Sequence, residues 1–285
     1  MTRLLPFTKM HGAGNDFVVL DGLAGELPPI ESLAARLCDR HTGIGADQLL
    51  VVRPSQTADF RMEIFNADGS QVEMCANGIR AFYKYLRDRG HTRAERVEVE
   101  TLSGVVRPRW AGPDLVTVDM GLPILAPAKI PTLLGNDKGE GEGPVLDVPL
   151  DLGDRTLAVS TVSMGNPHAV VLVDDPDTTP VAELGPRIEH HPAFPNRVNV
   201  EFVRILDRGR IQQRTWERGT GETLACGSGA CAVAVVSMLR GVVERRVRIE
   251  LRGGSLEIAW PADDASVEMT GPAAEVFTGQ IPIES

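Results

Sequence analysis

The chain has 285 residues, 42% of them hydrophobic and 24% charged, and a formal net charge of −10. That is the composition of an ordinary soluble globular protein, long enough for two domains, and its acidity, read as a solubility feature, excludes a non-specific nucleic-acid binder, which needs a basic face. Met1-Thr2-Arg3-Leu4-Leu5-Pro6 lacks the apolar core of a signal peptide, and the longest small and apolar run, Ala225 to Leu239, is too short and too rich in Gly and Ser to span a bilayer. Four cysteines do not make a disulfide framework in so long a chain, so a reducing cytoplasm is expected, with neither membrane nor nucleic acid as partner.

In chain order, short alternating or β-branched runs predict strands at Phe17 to Leu20, Gln48 to Val52, Arg61 to Phe65, Val97 to Thr101 and Leu115 to Met120. Ser32 to Arg40 reads as a short helix with Ser32 as its N-cap. After Cys75, the residues Ile79, Phe82, Tyr83 and Leu86 recur at helical spacing and form one apolar stripe. Pro127 to Gly143, rich in glycine, reads as an exposed loop without a catalytic part. Further strands are expected at Ala169 to Val173, Asn199 to Ile205, Arg210 to Trp216, Val247 to Leu251 and Ser266 to Met269. Between them, Ala230 to Leu239 is apolar almost all round and stops at Gly241, the pattern of a helix buried inside a sheet.

These elements are written twice. Cys75-Ala76-Asn77-Gly78 returns 151 residues later as Cys226-Gly227-Ser228-Gly229. The same offset carries Gly14-Asn15 onto Gly165-Asn166, Gln48 onto Asn199 and Asn66 onto Glu217. With one residue removed, Val97 to Glu100 falls on Val247 to Glu250. The chain is a duplication, with a dividing point near Pro123 and expected domains at 1–122 and 123–272.

A cysteine just before a helix, in a Gly-rich turn, meets the positive end of the helix dipole and free backbone N–H groups, both of which favour thiolate. The same N–H groups can hold a carboxylate. Two such sites supply what inversion of a stereocentre needs: one thiolate to take a proton from carbon and one thiol to return a proton to the opposite face. A lone cysteine is more often a small buried hydrophobe, and Cys38 and Cys231 are read so; the repeated context sets Cys75 and Cys226 apart. His168 and Glu217 break the repeat, falling opposite Phe17 and Asn66, and are candidates for orienting an ammonium or tuning the thiols. The other histidines carry no such context. No zinc spacing, dinucleotide loop or phosphate loop is present. With no phosphate loop beside Lys9, an amino-acid racemase here is expected to work without pyridoxal phosphate or any other cofactor, and no metal site is expected.

Phe7-Thr8-Lys9-Met10-His11-Gly12-Ala13-Gly14-Asn15-Asp16-Phe17 resembles the amino-terminal signature of the diaminopimelate epimerase family. Gly43 to Gln48, Phe65 to Ser70, Gly165 to His168 and Trp216 to Gly219 resemble further motifs of it, as do both cysteine turns. The resemblance runs over nearly the whole chain. It implies an α+β fold of two pseudo-symmetric domains, each a mostly antiparallel curved sheet around a central hydrophobic helix, with the active site between them and the segment 273–285 able to return to the first domain. It also implies cofactor-independent interconversion of LL- and meso-2,6-diaminopimelate, for lysine and peptidoglycan synthesis.

Carried over by position, Cys75 and Cys226 are the acid/base pair, flanked by His168 and Glu217. The backbone at Ala76, Asn77, Gly227 and Ser228 holds the carboxylate at the reacting carbon. Asn15, Gln48, Asn66, Asn166, Asn199 and Arg218 read the distal amino-acid end. Ala76 departs from the family's usual glycine and is harmless if its φ is negative. A related racemase of proline, hydroxyproline or histidine is the alternative, and a thiol-redox protein is disfavoured by the absent CxxC. A homodimer through an exposed strand edge is the one assembly entertained.

Overall fold

The computed structural model describes residues 2–135 and 143–284. The chain forms two compact units, Met1–Asp119 with Thr270–Ser285, and Met120–Met269. The first unit runs β1 (Thr2–Gly12), β2 (Asn15–Asp21), α1 (Ile30–Cys38), β3 (Gln48–Arg53), β4 (Phe60–Asn66), α2 (Ala76–Asp88), β5 (Val99–Thr101), β6 (Gly104–Val106), β7 (Arg109–Gly112) and β8 (Leu115–Asp119). The second begins with a 3-10 turn at Pro127–Lys129. It then runs β9 (Val145–Asp151), β10 (Thr156–Ser163), β11 (Pro167–Leu172), α3 (Val181–Glu189), β12 (Asn199–Asp207), β13 (Arg210–Glu217), β14 (Gly221–Thr223), α4 (Gly227–Leu239), β15 (Arg246–Leu251) and β16 (Gly254–Ala259). After β17 (Glu268–Pro272), β18 (Ala274–Glu284) completes the first unit beside β1.

The duplication is written into the strand registers. β2 and β3 are parallel with Phe17 opposite Gln48, and β11 and β12 are parallel with His168 opposite Asn199, each 151 residues on. The antiparallel pair Leu49 and Phe65 recurs as Val200 and Trp216. Phe60 lies opposite Val99, as Ile211 lies opposite Ile249. The other steps of the repeat are antiparallel, β1–β2 with β10–β11 and β5–β6 with β15–β16 among them.

Each unit wraps its strands round one helix. α2 packs on β1, β2, β3, β4, β8 and β18, and α4 on β10, β11, β12, β15 and β16. α4 is sunk so deep because all its faces are apolar: Ala230 to Val236 are fully buried. α2 achieves the same with polar residues whose partners are supplied. Lys84 is tied to Asp88 and Asp114 at 2.9 and 2.7 Å, and the fully buried Arg80 donates to the carbonyls of Ala76 and Pro272. Both helices stop in the same way. Gly90 (φ 76°) and Gly241 (φ 68°) turn left-handed, and the following amides, of His91 and Val242, return to Leu86 O and Ser237 O.

Three expectations are corrected. The first helix spans Ile30–Cys38, two residues earlier than its pattern suggested, and Ser32 is no N-cap; its hydroxyl donates to Pro29 O from inside the first turn. Val97 lies ahead of β5, because its amide bonds to Pro108 O instead of joining the ladder. The segment from Pro127 is not exposed throughout: Pro127, Ile130, Thr132 and Leu134 are buried, Leu134 in the core of the second unit beside Val145 and Val181. Residues 136–142 of that segment lie outside the described residues.

Candidate active site

One end of each sheet collects the candidate residues. Asn15 opens β2, Gln48 opens β3, Asn66 ends β4 and Cys75 precedes α2. Because β2 and β3 are parallel and β4 is antiparallel to β3, those termini share one edge. In the second unit Asn166 precedes β11, Asn199 opens β12, Glu217 ends β13 and Cys226 precedes α4, by the same topology. The turns that deliver Asn15 and Asn166 need left-handed glycines, Gly14 (φ 87°) and Gly165 (φ 94°).

Each cysteine is the N-cap of its central helix. Cys75 has φ −137° and ψ 113°, and its Sγ accepts the amide N–H of Gly78 at 3.3 Å; Cys226 has φ −122° and ψ 114°, and accepts from Gly229 at 3.4 Å. The sulfur fills the role usually taken by Ser or Asp oxygen, and the neighbouring amides of the first turn have no intrahelical acceptor, which suits them to a carboxylate. Ala76 opens α2 with φ negative, so its methyl brings no backbone strain.

In the first unit the Cys75 thiol faces Asn15 Oδ1 at 3.6 Å, and Asn77 Nδ2 donates to the same oxygen at 3.4 Å. Arg80 Nη2 donates to Asn77 Oδ1 at 2.8 Å and fixes that amide's direction. Asn15 Nδ2 donates to Asp47 at 2.8 Å. Asp47 and Asp16 share Arg40, whose guanidinium reaches Asp16 at 2.8 and 3.0 Å and Asp47 at 2.7 Å. Burial would raise the Asp16 carboxyl, but Arg40 and Lys9 hold it far below the usual carboxylate range. Gln48 and Asn66 form their own pair, Nε2 to Oδ1 at 3.0 Å.

In the second unit Cys226 is buried, and its thiol is pushed well above its ordinary range by burial, then by the Glu217 and Glu201 carboxylates; the Ser228 hydroxyl and the Gly229 amide pull only weakly the other way. At Cys226 desolvation and two acids outweigh the pull of the helix dipole toward thiolate. Glu217 is itself raised by burial, with Thr223 donating to it at 2.6 Å and Cys226 hydrogen-bonded to it. Asn199 bridges Pro167 O and the Arg218 amide, both at 2.9 Å, and Arg218 Nη1 donates to Asn196 O at 3.1 Å. His168 is fully buried, with Nε2 3.0 Å from Asn166 Oδ1 and Nδ1 2.8 Å from Glu201 Oε1.

Sequence reasoning missed Arg80, Asp47, Thr223 and Glu201. Arg80 lies about 100° round the helix from Ile79, beside the apolar stripe and not within it, and Asp47 and Thr223 act only through a neighbour, so no local pattern marks their role. Cys38 and Cys231 are buried in their units as expected, and burial pushes the Cys38 thiol up to about 11. None of the four cysteines is in a disulfide, no group of three or more His, Cys, Asp or Glu among the described residues could hold a metal ion, and no described helix is long and apolar enough to cross a membrane.

The fold recurs in solved structures. A phenazine biosynthesis protein of the PhzF family from Bacillus anthracis superposes with a TM-score of 0.70 at 15% identity, covering 99% of this chain and 100% of that one. A probable proline racemase from Agrobacterium radiobacter does so at 0.69 and 17%, covering 98% and 93%, and a hydroxyproline epimerase from Agrobacterium vitis at 0.67 and 16%, covering 99% and 94%. The chain is therefore a two-domain α+β protein of the racemase and PhzF fold class. Sequence narrows the class: the model of the family described as Diaminopimelate epimerase matches residues 7–126 and 160–276. A diaminopimelate epimerase of Aromatoleum aromaticum is 50% identical over 282 residues, 98% of this chain and 99% of that one, and one of Moorella thermoacetica is 48% identical over 286 residues, again 98% and 99%. This chain belongs to the diaminopimelate epimerase family.

Proposed function

We propose that Cys75 and Cys226 act as a two-base pair on the α-carbon of one stereocentre of diaminopimelate, interconverting the LL and meso forms. Membership of the family makes the protein an isomerase with diaminopimelate epimerase activity, which belongs to lysine biosynthesis; the meso product also serves peptidoglycan. The observation that carries the mechanism is the equivalence of the two sulfurs, each capping a central helix beside first-turn amides that lack an intrahelical acceptor.

One thiolate takes the Cα proton, and the electron pair left on carbon delocalises into the carboxylate. The amides at Ala76, Asn77, Gly227 and Ser228 stabilise that charge. The other thiol gives its proton to the opposite face and becomes the thiolate, so the two exchange roles and nothing is oxidised or reduced. Burial and the neighbouring carboxylates favour the protonated form of Cys226. Glu217, hydrogen-bonded to Cys226, and His168 tune that half. Asn15, Gln48, Asn66, Asn166, Asn199 and Arg218 read the distal head, whose carboxylate and ammonium call for fixed amides and a guanidinium. This favours a substrate with two amino-acid heads over proline or hydroxyproline; the likeness to those enzymes' structures concerns the fold.

The proposal includes a cytoplasmic homodimer. Cysteines outside any disulfide suit a reducing compartment, and β18 is the edge of its sheet with Val276 and Phe277 exposed. Sedimentation checks the dimer. The activity test is incubation of reduced protein with LL-diaminopimelate, without pyridoxal phosphate, followed by separation of stereoisomers. Meso product is expected; folded, reduced protein that leaves the substrate unchanged, or that prefers proline, overturns the reading.

A further inference from the structure

The second unit buries a polar cluster where the first buries hydrocarbon. Under the 151-residue offset, Phe17, Leu50, Met62 and Ile64 correspond to His168, Glu201, Gln213 and Thr215, and all eight side chains are at most 2% exposed. The registers agree: Leu50 lies opposite Ile64 on β3 and β4, and Glu201 opposite Thr215 on β12 and β13. Along each strand the cluster lies two residues inward, on the same face, from Asn199 and Glu217 of the site. The fold does not require it, because the first unit is built without it.

Glu201 is the hub. Oε1 meets His168 Nδ1 at 2.8 Å, while Oε2 accepts from Gln213 Nε2 at 2.9 Å and Thr215 Oγ1 at 2.6 Å. A carboxylate so placed makes His168 the donor at Nδ1, and Nε2 of the neutral ring is then the acceptor for the side-chain amide NH2 of Asn166, whose amide group lies 3.0 Å away. Stability is a poor reason for the arrangement, since a buried charged network seldom outperforms well-packed apolar residues and Gln213 Oε1 is left buried without a partner. The carboxylate also packs on the turn that holds the thiol: a Cβ on Gly229 would stand 2.5 Å from Glu201 Oε1, whereas on Gly78 it would meet Leu50 Cδ2 at 3.3 Å.

We propose that Glu201 is a positioning residue of the second half-site, fixing the His168 ring by its Nδ1 proton so that Nε2 orients the Asn166 amide toward the substrate. The assignment rests on the two-base reading above. The titratable groups gathered there are His168 from β11, Glu201 from β12, Glu217 from β13 and Cys226 at the head of α4. Two halves of one duplicated fold are thereby made chemically unequal.

The test is Glu201→Gln, which keeps the shape of the side chain but removes the charge and turns one of its two acceptor oxygens into a donor. Three readouts apply: thermal unfolding, kcat/KM for LL-diaminopimelate against pH, and ring nitrogen-15 shifts of labelled histidine, with His168 assigned by His168→Asn. The proposal expects a folded variant with kcat/KM lower by at least about tenfold, the scale for losing a group that orients an active-site histidine, a displaced pH profile, and altered His168 shifts. Unchanged kinetics per folded molecule would overturn it, and so would lost activity with unchanged His168 shifts. Should the wild-type protein fail on diaminopimelate, the two-base reading falls, and the His168 shifts alone still decide whether Glu201 fixes the ring.

Discussion

Cys75 and Cys226 occupy the same backbone position in two copies of one fold, each sulfur accepting the amide three residues on, at 3.3 and 3.4 Å. Equal geometry does not bring equal chemistry. Cys75 is partly exposed beside the neutral amides of Asn15 and Asn77, whereas Cys226 is buried beside two carboxylates.

Replacing either cysteine by alanine should therefore abolish epimerisation while leaving a folded protein. The lost cap costs about 1 kcal/mol of stability, but removing an acid or base from the reaction costs about two to four orders of magnitude in rate. Steady-state kinetics with circular dichroism check both; a single mutant with near-native turnover contradicts the two-base pair.

The thiols should separate by reactivity. Burial and the Glu217 and Glu201 carboxylates raise Cys226, so thiolate appears there only at high pH and alkylation by iodoacetamide at neutral pH should be slow. Glu217→Gln removes one of those charges and should move the alkylation curve to lower pH. Peptide mapping across a pH series reads this, and a Cys226 curve unmoved by the substitution counts against it.

Helix-start glycines should tolerate alanine unequally. Gly229→Ala drives a methyl into the Glu201 carboxylate and should cost about 1–3 kcal/mol, the range for overpacking a core. Gly78→Ala meets only Cys75 and Leu50 at 3.3 Å and should cost less. Equal losses in denaturant unfolding would contradict the difference assigned to Glu201.

Arg40→Met should loosen Asn15 through Asp16 and Asp47. The Asp16 carboxyl is depressed in the folded protein, so its contribution to stability is present above about pH 4, the ordinary aspartate range, and is lost as pH falls. Arg40 is half-exposed, so the gap between wild type and variant should be only about 1 kcal/mol at neutral pH. It should narrow in acid, as urea titrations at several pH values can show.

Much of this was legible because duplication supplies a second reading of each element. The offset that pairs the cysteines also pairs α1 (Ile30–Cys38) with α3 (Val181–Glu189), residue for residue. Yet α3 went unpredicted, because Gly185 and Pro186 interrupt its pattern; Gly185 is small because Trp216 lies where a Cβ would be. β1, with Pro6, Lys9 and His11, also hides its alternation. Among site residues, Asn15, Asn66, His168 and Glu217 stood out in short motifs. Glu201 sits in the middle of an apolar strand and signals itself only by replacing Leu50 across the repeat.

The most direct test of the central claim is the fate of the α-hydrogen in D2O during early turnover of LL-diaminopimelate. Two separate thiols predict that the first meso product carries deuterium at the inverted carbon, delivered by a solvent-exchanged thiol, while unreacted substrate keeps its hydrogen. Early product that retains the substrate's own hydrogen would mean one base carries the proton across, and the pairing of Cys75 with Cys226 would be wrong.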